Sequence, residues 1–164
     1  SHDKKFSARV GCGSQVFVCD NLCFFAEVQL ARRHTSQILK DLPRLVTSVI
    51  SRVGEFAGQQ DDRIRLYKQT RFSQSDAALM LARSLEKGIL PPRYSKEVWE
   101  EFVSPRHAEF RTCGPTAWRF LNAVTEVLKP RVGRGRVAEV PSRMIETRTM
   151  GLHKLLDERC GLAA

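Results

Sequence analysis

Six apolar residues between positions 38 and 56 constrain the fold of this chain more than any other feature. Ile38, Leu42, Leu45, Val49, Val53 and Phe56 recur at steps of three and four, which lines them along one side of a helix. The following "GQQDDR" reads as a polar outer face, and the spacing predicts one long helix reaching about Lys68. Pro43 suits a first helical turn and not a helix interior. Either a short helix precedes it, or the main helix starts near Asp41. Gly54 and Gly58 weaken the segment.

The chain before this helix has a different period. In "KKFSARV" (4–10), Phe6, Ala8 and Val10 alternate with Lys5, Ser7 and Arg9, the pattern of a half-buried strand. "GCGS" supplies a turn, and "QVFVC" (15–19) reads as the return strand of a hairpin. "LCFFAEV" (22–28) reads as a third strand or an irregular edge. After the long helix, Ser73 and Asp76 form a capping-box pattern before "SDAALMLARSLEKG", with Gly88 at the C′ position. Pro91-Pro92 is a stop. Ser95 is placed to cap a short helix carrying Val98, Trp99 and Phe102. A further helix runs from near Pro115 to about Leu128, with Trp118, Leu121, Val124 and Leu128 inward. "KPRVGRGR" (129–136) reads as a flexible basic linker, and residues 142–159 as a terminal helix. The expected class is α+β: an N-terminal antiparallel β-hairpin or small sheet packed by several α-helices, as part of a larger domain. The expected organisation is one unit over residues 1–128, followed by the linker and terminal helix over 129–164.

Charge bounds the partners. The chain carries 27 basic and 18 acidic residues, a net charge of +9. The excess sits in residues 29–70 and 129–164, each with eight basic against four acidic residues. Such a bias suits an anionic partner, DNA or RNA above all. The clearest local clusters are Arg32 and Arg33 in "RRHT", and Arg131, Arg134 and Arg136 in the linker. No apolar run approaches the ~20 residues that cross a bilayer, so no membrane partner is expected. No P-loop pattern is present, and "GCGSQV" holds only the first two glycines of a dinucleotide-binding loop.

Five cysteines, an odd number without a regular framework, fit a reducing, cytoplasmic setting. Cys12, Cys19 and Cys23 lack the close pairs that zinc sites use. They read as small apolar residues, and neither a metal nor another cofactor is expected. Asp20-Asn21 reads as a turn at a strand end. No local pattern ties a cysteine to His34 or His107, so no catalytic residue is assigned.

"SHDKKF", "VFVCDNLCFF", "RRHT" and "TAWRFLNAVTE" resemble, in order and rough spacing, stretches of the DUF932 family of phage- and plasmid-associated proteins. The resemblance spans residues 1 to about 128 and implies that the chain holds the C-terminal part of the family's fold. It implies no activity. The residues it draws together are His2, Asp3, Asp20, Asn21, His34, Asn122 and Glu126. Asn122 and Glu126 stand four apart on one helix and so share a face. The set reads as a buried network locking helix to sheet, or as a polar site. Three functions follow in order: a nucleic-acid-associated accessory protein of a mobile element binding mainly through phosphate, a non-catalytic module for protein partners, and, behind both, an enzyme with a polar site at strand ends.

Overall fold

The computed structural model describes residues 7–11, 14–16, 21–23, 29–33, 38–128 and 142–162. Helix α1 runs over Ile38–Gln69, 32 residues in one piece. Pro43 lies inside it. Its ring removes one N–H near the helix start, and Thr47 Oγ1 donates to the Pro43 carbonyl at 3.0 Å. Gly54 and Gly58 do not interrupt the helix.

Helix α2 (Gln74–Glu86) begins with the predicted capping box. The Asp76 N–H donates to Ser73 Oγ at 3.1 Å, and the Ser73 N–H donates to Asp76 Oδ2 at 2.9 Å. Gly88 ends the helix region at φ +66°, a conformation that disfavours any residue with a Cβ. A 3-10 turn at Pro92–Tyr94 leads into α3 (Ser95–Val103). Ser95 is not the cap of α3. It is the first helical residue, and its hydroxyl turns back to donate to the Pro92 carbonyl at 2.8 Å. Helices α4 (Ala108–Thr112), α5 (Ala117–Leu128) and α6 (Ser142–Cys160) complete the order.

Helix α5 lies at the centre, against α1, α3 and α6. Trp118, Leu121, Val124 and Leu128 are buried as the spacing predicts. Phe120, Ala123 and Val127 are buried too, because neighbours cover more than one face of the helix. Thr116 caps it, accepting the Arg119 N–H at 3.2 Å. An isolated bridge between Arg71 and Thr116 ties the α1–α2 turn to this start. Phe72, Phe102 and Phe120 form a chain of ring contacts across the core. Leu152, Leu155 and Leu156 bring α6 into the same core.

The α+β class and its N-terminal hairpin are overturned: the fold is all-α. Every buried apolar side chain described lies on a helix or on a turn joining two helices. The extended segments near the N-terminus are short, and they do not pair as expected. Strand β1 (Ser7–Gly11) pairs with β4 (Gln29–Arg33), while β2 (Ser14–Val16) pairs with β3 (Asn21–Cys23). The "GCGS" turn therefore does not join partners. Alternation over five residues specifies extended backbone and leaves the partner open. Two-stranded ladders of this length are marginal alone and cannot organise a core.

Candidate nucleic-acid interface

Arg32 and Arg33 are successive residues of β4, opposite Ala8 and Ser7 in the β1 register. Asn21 opens β3, opposite Val16, and β3 lies against α5. His2, Asp3, Asp20, His34, Arg131, Arg134 and Arg136 lie outside the described residues, as do Cys12 and Cys19. The structure brings together Asn122 and Glu126 of the polar set, on one face of α5, and adds His107. Asn122 is 2% exposed, and its amide donates to the Trp118 carbonyl at 2.8 Å. The Asn122 Oδ1 and Glu126 Oε2 atoms are buried and accept no hydrogen bond. His107 Nε2 stands 3.7 Å from Glu126 Oε2, too far for a hydrogen bond.

Acidic side chains on the described surface are largely committed to ion pairs. Asp61 and Asp62 hold Arg65, at 3.2 and 3.5 Å. Asp76 holds Arg159 at 2.7 Å, which together with the Ser73 bonds keeps its carboxyl low, at about 2. Glu158 holds Arg83 at 2.8 Å, and Glu100 stands 3.8 Å from Lys96. Glu101 is 5% exposed, and it receives both the Arg106 side chain at 3.1 Å and the Arg106 N–H at 2.9 Å. By contrast, Lys40, Arg44, Arg52, Lys87, Arg111, Arg148 and Lys154 have no acidic partner among the described residues. Part of the positive excess read from the sequence thus lies on the helices as cations with no acidic partner among the described residues.

A second polar cluster, absent from the sequence reading, joins α1 to α6. Tyr67 is fully buried, and its hydroxyl meets Asp157 Oδ1 at 2.6 Å and His153 Nδ1 at 3.0 Å. Arg63 pairs with Asp157 Oδ2 at 3.1 Å. A phenol has one proton, and the carboxylate is the stronger acceptor. Nδ1 of His153 must then carry a proton and donate to the phenol oxygen. Burial, with Arg63 adding positive potential, holds the His153 imidazole well below its ordinary value and keeps it neutral. Burial and the Asp157 bond push the Tyr67 phenol up. A buried tyrosine held in its neutral form and stacked on a neutral histidine at 5.7 Å is a clamp between helices. The signal was two i,i+4 pairs, Arg63/Tyr67 and His153/Asp157, which become readable only once α1 and α6 are known to touch.

Among the described residues, no three His, Cys, Asp or Glu side chains converge as a metal site would need. None of the described helices is long and apolar enough to cross a membrane. Cys113 and Cys160 are half-buried free thiols. Comparison with protein-family models, with curated proteins and with solved structures finds no match for this chain.

Proposed function

We propose that this chain is a nucleic-acid-associated accessory protein that binds chiefly through phosphate contacts. The observation that carries the reading is the surplus of cations with no acidic partner among the described residues. The net charge is +9, and Asp61, Asp62, Asp76, Glu100, Glu101 and Glu158 are held by other arginines and lysines. Arg32 and Arg33, with Arg131, Arg134 and Arg136, are the sequence clusters expected to add phosphate contacts. The resemblance to the DUF932 family supports a role in a phage, plasmid or other mobile element, and the odd cysteine count without a regular framework supports a cytoplasmic setting. Contacts of this kind position a protein on a strand and read no sequence.

A second reading has its own observation. Leu42, Val46 and Ile50 recur at steps of four on α1 and are 37%, 36% and 65% exposed, an apolar face that suits a protein partner. Salt separates the two readings. Phosphate binding weakens steeply as salt rises, whereas apolar docking does not. Binding to single- and double-stranded DNA and RNA at low salt, lost at moderate salt, supports the first. Absence of binding to all four nucleic acids at low salt removes it and leaves the interaction module.

A further inference from the structure

A cleft of about 280 Å³ opens between the C-terminal end of α2 and one face of α6. Lys87, Gly88 and Ile89 form the α2 side. Thr147, Gly151, Lys154 and Glu158 recur at steps of four, three and four on the α6 side, so they share a face. Gly151 sets the approach of the two walls, because a Cβ there would meet Ile89 Cγ1 at 3.0 Å.

The charge in this cleft is one-sided. Lys87, Arg148 and Lys154 line it without an acidic partner among the described residues. Its one acid, Glu158, is already held by Arg83 at 2.8 Å. The C-terminal end of a helix ordinarily repels an anion, but here its carbonyls are engaged. The Lys87 N–H reaches Arg83 O and Leu85 O, and the Ile89 and Leu90 N–H groups reach Ser84 O at 2.9 and 3.1 Å. Ile89 and Leu155 supply an apolar floor beside the cations.

We propose that this cleft is the seat for one nucleotide, with its phosphate among Lys87, Arg148 and Lys154 and its apolar portion on Ile89 and Leu155. Ligand pockets for small molecules span roughly 300–1,000 Å³. At about 280 Å³ the cleft falls just below that range, room for one small nucleotide-sized group and not for a length of duplex. The proposal deepens the phosphate-binding reading above and rests on it for the source of the nucleotide, a unit of a single strand. The same chemistry would hold a free nucleotide.

The test is calorimetric titration of the full chain at low salt with adenosine monophosphate, adenosine and a short single-stranded oligothymidylate. Adenosine monophosphate is expected to bind and adenosine to fail. R148E/K154E should weaken the nucleotide by at least about tenfold per cation, the size of a lost charge-assisted contact. K87E, on the opposite wall, should act independently, and K154R should retain binding. Displacement of adenosine monophosphate by the oligothymidylate assigns the seat to a strand, and failure to displace assigns it to free nucleotide. Absence of adenosine monophosphate binding in the wild type overturns the proposal. So does unchanged binding in R148E/K154E and K87E variants that melt like the wild type. Oligothymidylate binding that persists in R148E/K154E with its salt dependence intact overturns the cleft and spares the functional reading. Nucleotide binding without any nucleic-acid binding refutes that reading and spares the cleft.

Discussion

Tyr67→Phe removes one oxygen from the junction of α1 and α6 and leaves the ring in place. The hydroxyl donates to Asp157 Oδ1 at 2.6 Å, a bond to a charged acceptor worth about 1.5–3 kcal/mol net. It also accepts from His153 Nδ1 at 3.0 Å, a neutral bond worth about 0.5–1.5 kcal/mol. Arg63 remains on Asp157 Oδ2 at 3.1 Å, so the carboxylate keeps its counter-charge. The two losses together predict a destabilisation of about 2–4.5 kcal/mol. Urea unfolding followed by circular dichroism measures it, as a lower midpoint at unchanged slope. A loss below about 0.5 kcal/mol, the size of an ordinary surface substitution, would refute the clamp and the packing of α6 on α1 that it implies.

The same clamp predicts a pH dependence. The imidazole of His153 is depressed in the folded protein, so the unfolded chain binds its proton first. Stability is fully present above the unfolded value of about 6.5 and falls as pH drops below it. His153→Gln should flatten stability measured between neutral and mildly acid pH, and an unchanged profile would contradict the assignment. Trp118→Ala should cost about 3–5 kcal/mol in the same unfolding assay, because the indole is 5% exposed on the central helix. A cost below about 1 kcal/mol would make α5 peripheral. Ser73→Ala should cost about 1 kcal/mol by removing the cap of α2, and no change in melting would show that the capping box contributes nothing.

Much of the helical frame is written locally. The apolar spacing from Ile38 gives α1 through Gly54 and Gly58, since a single glycine weakens a helix without breaking it and the helix is anchored in the core at its far end by the buried Tyr67. Ser73 and Asp76 mark the start of α2, and Gly88 its end, through bonds made within a few residues. What is non-local was not legible. Residues 4–10 read as a strand, but the partner of β1 (Ser7–Gly11), at 29–33, lies beyond the nearest turn and outside the reach of alternation. Helix α5 shows one apolar face in sequence and buries more than one, because its neighbours come from distant segments. Asn122 and Glu126 could be placed on a common helix face. Their proximity to His107 depends on the α3–α5 turns, which the sequence does not disclose. The clamp of Arg63, Tyr67, His153 and Asp157 was hidden for the same reason.

Salt-dependent binding tests the central claim most directly. Affinity for single-stranded DNA, measured from low to moderate salt, should fall linearly on a log–log plot with a slope of about −0.7 per phosphate contact. Neutralising Arg131, Arg134 and Arg136 together should flatten that slope by about two units and weaken unrelated sequences alike. An unchanged slope in the triple variant would remove those arginines from the interface. A wild-type chain that binds no nucleic acid at low salt would contradict the account.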